Sequence, residues 1–534
     1  MSGLFPKTPD TKTTSKTTSR RSAFRAWMMR LGGVGHPVVL SAIATGAVVL
    51  LGRSLGLLQG LELGAYDHLV RVRPTPPPDE RFLVVGITET DIQIRGEWPI
   101  QDQTVAEVLT TLLAAEPAAI GLDLFRDVPI GEEQAALYEV LGDRDQAIPV
   151  FSVCKISSAD NPGVPPPATV PPERISFSDL LVDRGGILRR SLLAASPPPD
   201  APAGLAHPCN TPDTQLFSLG FQLALTYLSR QGVVPTVTER GEIQLGDVTL
   251  RRLGRNLGGY RAVDDAGYQI MLNYRAARES MPQVSLTEVL SGQVSADQIR
   301  DRIVLIGATT PEAKDTFYTP FSGGLDDSQK MPGVVVHGQS ASQVISAVLN
   351  DRPLIWAWSL WAEAGWIVLW AVGGALFAWY VRRPLRFVAG AGVLIAGLYG
   401  ACYVLFLQGG WVPLVPPAVA LVLAAGGVVL VDRFNKSDYG KAVYRQVKSF
   451  LKLDIEIDHG RVEQQVAEIT ETDYFNQLQQ QAKALRDRKN SPKSAIAPKP
   501  PVNEDVASST EEYLDSLQQQ AQRLRSHNVE DKDA

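Results

Sequence analysis

Long uncharged apolar runs and short alternating ones divide this chain into blocks. Residues 38–52 (VVLSAIATGAVVLLG) carry no charge. With the lead-in from Leu31 the run approaches the ~20 residues a helix needs to cross a bilayer. Three more such runs follow, beginning at Ser359, Phe387 and Trp411. A soluble core helix rarely stays apolar for so long, so the pattern predicts four membrane spans, at 31–52, 359–381, 387–407 and 411–431. A cleaved signal peptide is the competing reading of the first run. No clean small-x-small site precedes Arg53, and about thirty residues lie ahead of the run, which favours an uncleaved anchor.

Between the first two spans the apolar period changes. Residues 82–87, 119–124 and 148–153 read as strands, and 104–113 and 132–141 as helices. That β-α-β-α-β order predicts a mainly parallel sheet covered by helices. Proline-rich loops follow (165–167 and 197–199), then an amphipathic helix at 216–228 and a hairpin around Gly241 within 233–252. Residues 270–274 and 303–307 read as further core strands. Residues 334–349 read as a strand that continues into a helix, with Ser340 and Ser342 as helix-start residues. The fold class is thus an α/β domain over 53–355, large enough to bury its own core.

Basic residues give the orientation. Lys16, Arg20, Arg21, Arg25 and Arg30 precede the first span, Arg382, Arg383 and Arg386 separate the second from the third, and Arg433, Lys436, Lys441, Arg445 and Lys448 follow the fourth. All three clusters fall on one side if both termini are cytoplasmic, as expected of a multi-pass protein of the inner (plasma) membrane. The α/β domain is then extracytoplasmic. Trp356, Trp358, Trp361 and Trp411 are expected at the outer interface. Glu363, about two turns inside the second span, is expected to snorkel to water.

Residues 1–30 read as a disordered basic arm. In the tail, 432–534, Tyr439, Val443, Val447 and Leu451 continue the fourth span as an amphipathic helix. Beyond it lies a repeat. YFNQLQQQAKALR (474–486) matches YLDSLQQQAQRLR (513–525) across a Pro/Lys/Ser-rich linker. In each copy Tyr474, Leu478, Ala482 and Leu485, or Tyr513, Leu517, Ala521 and Leu524, share one helix face. Two readings stay open: a pair of marginal helices, or two docking helices for one cytoplasmic protein, with Tyr474, Leu478, Leu485, Tyr513, Leu517 and Leu524 as the contact residues. Coiled-coil pairing between copies is a third.

The net charge of −6 gives no case for nucleic acid binding, and three cysteines exclude a disulfide-dense scaffold or a zinc ribbon.

The outer segment resembles the CHASE sensory domain of the second type, the extracellular sensory domain associated with cyclases and histidine kinases. The matching pieces are GLELGAYDHLVRVRP (60–74), FLVVGITETDI (82–92), WPI (98–100), IGLDLFRDVP (120–129), FSLGFQLALTYL (217–228), LNYR (272–275), RIVLIGATTPEAKDTFYTPFS (302–322) and MPGVVVHGQSASQVISAVL (331–349). They cover most of 55–355. One span before the domain and three after it is also the family's arrangement, and the RDVP wording and paired cysteines resemble its cyanobacterial branch. The resemblance implies a receptor input domain that usually works as a dimer and usually continues into an output enzyme. Here no Gly-rich phosphate loop or kinase catalytic motif follows, so no fused output enzyme is expected. The family commonly carries an acidic residue where Thr88 stands, which puts any inherited acidic site at that position in doubt.

Open α/β sheets collect ligands at the carboxyl ends of their strands. Glu89, Asp91, Arg126, Thr309 and Asp315 follow strand candidates, Asp123 stands at the end of one, and the six are the expected ligand-binding set. A polar ligand pocket and a purely structural role both fit them. No metal-ligand spacing is present, so a metal is not expected, nor is a cofactor. Cys154 and Cys209, both extracytoplasmic, are expected to pair, the alternative being two separate thiols; Cys402 lies in a span and cannot join them. His68 and His337 read as structural, because nothing pairs them with a nucleophile. No catalytic residue is assigned.

The sequence therefore predicts a membrane receptor, not an enzyme, that senses an extracytoplasmic signal and signals through a separate cytoplasmic partner. The alternative is a scaffold that links an envelope component to a cytoplasmic complex without switching. The expected partners are the lipid bilayer, a small ligand, a second copy of the chain and a cytoplasmic protein.

Overall fold

The computed structural model describes residues 36–437, apart from 201, 203, 205, 278, 323–328 and 350–351, and also describes 480–483. The chain divides into two compact units, 1–441 and 442–534. In the second unit residues 480–483 form a helical turn with exposed side chains. The basic arm, the expected helix after the fourth span and the rest of both tail repeats lie outside the described residues.

Helix α1 (Pro37–Ser54) opens with a proline at its first position, and His36 Nδ1 accepts from the Val38 amide at 3.3 Å. A four-residue break leads into α2 (Gln59–Val72). The domain follows as β1 (Phe82–Ile87), α3 (Glu89–Arg95), α4 (Asp102–Leu113), β2 (Ala119–Asp123), α5 (Ala135–Gly142), β3 (Val150–Cys154), β4 (Ile175–Phe177), β5 (Arg190–Ala195), β6 (Leu216–Phe217) and α6 (Leu219–Arg230). Strands β7 (Pro235–Val237), β8 (Ile243–Leu245), β9 (Val248–Leu250), β10 (Tyr268–Met271) and β11 (Gln283–Ser285) come next, then α7 (Leu286–Leu290), α8 (Ala296–Ile299) and β12 (Ile303–Ala308). The domain closes with β13 (Thr316–Phe317), β14 (Met331–Pro332) and α9 (Gly333–Val348). Then come β15 (Trp356–Ala357), α10 (Leu360–Tyr380), α11 (Pro384–Leu407), β16 (Gly410–Trp411) and α12 (Val415–Lys436).

Among the described residues the main sheet has the order β11-β1-β12-β2-β3-β4, with every pairing parallel. Its central strands β1 and β12 read as continuous apolar runs because both faces are covered. On one face α6 and α9 pack with Leu223, Leu228, Val334 and Ile345 against Val84 and Leu305. On the other, α4, α5 and α7 pack with Val108, Leu112, Leu141 and Leu286 against Val85 and Ile306. This is the expected α/β class, with two departures.

Strand β10 lies in the core as expected, with Ile270 in the same cluster as Val84 and Leu305, but it pairs antiparallel with β5 in a second sheet, β10-β5-β6, rather than joining the parallel one. Residues 334–336, expected to be a strand, are helical from the start of α9. That helix is buried all round, so its Val-rich side is apolar for packing rather than for pairing. Ser340 and Ser342 accordingly lie mid-helix, bonded to Ser191 Oγ at 2.5 Å and to Asp79 Oδ2 at 2.6 Å, and start nothing.

Four helices are long and apolar enough to cross a membrane among the described residues: Pro37–Ser54, Leu360–Tyr380, Pro384–Leu407 and Val415–Phe434. Helices α1, α10 and α12 share a seam of small and β-branched residues, with Ala42, Ala371, Ala375, Ala420 and Ala424 at its centre. Small side chains let span helices approach closely. The fourth helix begins at Val415, four residues later than the hydropathy run. Trp411 is not a lipid-facing anchor. It is 1% exposed, held between Tyr66 (ring centroids 4.8 Å apart) and Tyr260 (5.7 Å). A Cβ at Gly258 or Gly259 would lie 2.5 or 2.8 Å from the indole, so only glycine admits the ring there.

Candidate functional site

The carboxyl ends of the central strands hold a cluster of polar side chains in an apolar setting. Asp123 ends β2. Asp315 follows β12 and reaches the start of α9, where a Cβ on Gly333 would lie 2.3 Å from its carboxylate. Only glycine lets the helix start so close. One turn later His337 Nε2 stands 3.9 Å from Asp123 Oδ1. Asp179, after β4, lies near the same imidazole and accepts from the Ile156 amide at 2.9 Å.

Burial dominates the electrostatics here. It pushes Asp123 up to about 7, and Asp315 up to about 6 with help from the neighbouring Asp123 charge. Burial also drives His337 down to about 4, against the pull of Asp315 and Asp179. The His337–Asp123 contact is therefore not an ion pair at neutral pH, because the imidazole is uncharged. Among the described residues no group of three or more His, Cys, Asp or Glu side chains is arranged to hold a metal ion.

Of the six residues singled out from the sequence, the structure brings Asp123 and Asp315 together. Asp91 is a structural carboxylate. It closes a capping box with Thr88 and accepts from the Thr287 amide at 2.8 Å. Burial raises its pKa, but the hydrogen bonds from Thr287 and Thr88 outweigh that and hold it below the usual range. Arg126 faces Asp102 at 3.1 Å and donates to the Ile100 carbonyl, pinning a loop. Glu89 accepts from Thr310 Oγ1 at 3.0 Å, and Thr309 donates to the Ile87 carbonyl at 3.3 Å. Thr88 is the cap of α3. Sequence reasoning left His337 as an isolated structural residue and missed Asp179. The register of α9, one turn from Gly333, is the signal that places His337 at the mouth.

A second polar cluster sits where the domain meets the span helices. Arg53, at the end of α1, binds Glu363 of α10 and donates to the Gly258 carbonyl at 2.9 Å. Glu363 is 1% exposed. It does not snorkel to water, because a cation from the neighbouring helix meets it inside the protein. Glu62 of α2 accepts from the amides of Leu414 (3.0 Å) and Val415 (2.8 Å) and so caps α12. Burial raises the Glu62 pKa, and those two amides and Arg53 oppose the shift. One turn on, Asp67 takes both arms of Arg189 at 2.7 Å, and Arg189 also binds Asp183 at 2.7 Å. Asp183 in turn accepts from Tyr260 at 2.7 Å. Helix α2 is thus fixed to α12 by one carboxylate and to the domain core by another.

The family model for the CHASE2 domain matches residues 44–376, more than half of the chain. The chain belongs to the CHASE2 domain family. No curated relative and no solved structure matches it.

The matched stretch starts inside α1 and ends inside α10, so the CHASE2 unit includes the domain-side ends of both flanking span helices and the Arg53–Glu363 pair between them. Within the CHASE2 domain Cys154 and Cys209 form a disulfide. It ties the end of β3 to the loop before β6, and the Cys209 carbonyl also accepts from the Ser157 amide at 2.9 Å. Cys402 is free and buried.

Proposed function

We propose that this chain is a multi-pass receptor of the inner (plasma) membrane that reads an extracytoplasmic signal with its CHASE2 domain and passes it to a separate cytoplasmic protein. Both termini are cytoplasmic in this reading, and the chain carries out no catalytic step itself. The observation that carries it is the fixing of α2. Helix α2, which follows the first span after a four-residue break, holds the fourth span through Glu62 and the domain core through Asp67. A change in the domain that moves Asp67 has a short, stiff route to the spans. The ligand-facing end of the sheet has a second route through α9, which carries His337 and leads into the linker before the second span. The switch can supply no more than the signal's differential affinity for two states, typically about 1–3 kcal/mol.

The tail repeats serve as docking helices, with Tyr474, Leu478 and Leu485 in one copy and Tyr513, Leu517 and Leu524 in the other as contacts. Photocrosslinkers at Tyr474 and Tyr513 should capture the same cytoplasmic protein. The yield should change when the external medium is varied, and Arg53→Met should abolish that dependence. A yield that stays constant under every external condition favours the constitutive scaffold and removes the receptor reading.

The receptor works as a dimer. Ile94, Trp98, Phe125 and Val128 are all exposed near the sheet mouth and supply an apolar face for a second copy. Val128→Cys should then give a disulfide-linked dimer in membranes; a monomer only would exclude that face.

A further inference from the structure

A cleft of about 550 Å³ opens between β8–β9, β10 and the residues that lead into α10. It is separate from the sheet mouth. Leu253, Leu257, Met271 and Ile355 form an apolar floor, while Arg251 and Arg252 stand on the rim opposite a single carboxylate, Glu242. Arg252 is committed to the Asp265 carbonyl at 3.0 Å. Arg251 is exposed and has no described hydrogen bond or ion pair. The cleft also has a fixed height. Its wall residue Trp356 donates to the Gln408 carbonyl in the hairpin between α11 and α12, and α10 begins four residues later. The opening therefore sits at the level where the span helices leave the apolar layer.

We infer that this cleft binds an anionic lipid of the surrounding bilayer, with its acyl chain on the apolar floor and its headgroup on Arg251. The size suits a lipid-like ligand. Two guanidinium groups against one carboxylate favour an anion, and Arg is the side chain best shaped for a phosphate. A site at bilayer height is supplied by lateral diffusion. A lipid seated here touches β10 of the CHASE2 domain and the linker to α10 at once, so lipid composition sets a contact between domain and span. The inference rests on the membrane topology proposed above but not on signalling or on the tail.

The test uses the full chain in nanodiscs doped with photoactivatable phosphatidylglycerol or, separately, photoactivatable phosphatidylcholine. The glycerol probe should label 251–257 and 353–357, and the choline probe at least about fivefold less, the factor that one basic residue at an anionic surface is roughly worth. Arg251→Glu should cut labelling by the glycerol probe there by a similar factor, and Arg251→Lys should retain it. Labelling of the exposed Val388 and Val393 of α11 should be the same in all three proteins, which shows that they are inserted and folded. Equal labelling by both probes, labelling unaffected by Arg251→Glu, or labelling of the cleft by neither probe overturns the inference. None of these outcomes bears on whether the tail responds to an external signal.

Discussion

Glu62 accepts a hydrogen bond from the Val415 amide at 2.8 Å, so a carboxylate on the helix after the first span closes the amino end of the fourth. The two helices are distant in sequence, and without this contact the half-buried amides of Leu414 and Val415 lose their acceptor. A charged acceptor at a helix N-terminus is stabilised by the helix dipole as well as by the bonds themselves.

Glu62→Ala should therefore destabilise the protein by about 1–3 kcal/mol, the loss of a cap with charge-assisted bonds. Glu62→Gln keeps a carbonyl acceptor and should lose less. Thermal unfolding in nanodiscs gives the ranking. Equal stability of Glu62→Ala and wild type would mean the cap carries no weight.

The Arg53–Glu363 pair is buried, so removing either partner leaves an uncompensated charge. Arg53→Met or Glu363→Met alone should cost about 3–5 kcal/mol, and the double variant much less than the sum. Denaturation of the four proteins in mild detergent closes the cycle. Additive losses would show that the two side chains do not interact.

The sheet mouth gives the domain a pH dependence. Asp123 and Asp315 have folded values of about 7 and about 6, above their ordinary 3.8. The native state keeps these protons after the unfolded chain has released them. Their contribution is fully present below about pH 4 and is lost as pH rises toward 7. His337 acts in reverse. Its folded value of about 4 lies below the ordinary 6.5, so it costs stability as pH falls through that window. Two carboxyls against one imidazole leave roughly one net proton, or about 1.4 kcal/mol per pH unit favouring acid between pH 4 and 6. Asp123→Asn should match wild type near pH 4 and become the more stable protein by pH 8. A stability difference that does not change with pH would show that Asp123 is not held neutral.

Topology has a direct check. The turn at Arg240 is exposed on the domain, and Arg382 lies between the second and third span helices. In intact cells a membrane-impermeant maleimide should label Arg240→Cys but reach Arg382→Cys only after permeabilisation. The reverse pattern would invert the proposed orientation. The native cysteines should add little background, because two are bonded and one is buried.

Much of the fold was legible because its signals are local. The uninterrupted apolar runs marked the spans, and the FLVVGI and IVLIG runs (82–87 and 303–307) marked strands buried on both faces. The pairing of Cys154 with Cys209 followed from where the compartment boundary was drawn. Residues 334–336 misled, because a Val-rich run fits a strand and an all-round buried helix equally well. Trp411 misled because a tryptophan at the edge of an apolar run resembles an interface anchor, and Gly258 and Gly259, which make room for it, lie about 150 residues away. At the sheet mouth, Asp123 and Asp315 were found by their position after strands. Asp91 and Arg126 share that position, but Thr287 and Asp102 claim them.

By itself the sequence determined that the chain builds four apolar helices and one α/β domain, because hydrophobic period and run length are properties of neighbouring residues. The tertiary structure alone decided which polar groups meet. Arg53 and Glu363, Glu62 and Val415, and His337 and Asp123 are each separated by more than 200 positions. Their proximity depends on how helices pack and where the parallel strands end, and neither is written in any local pattern.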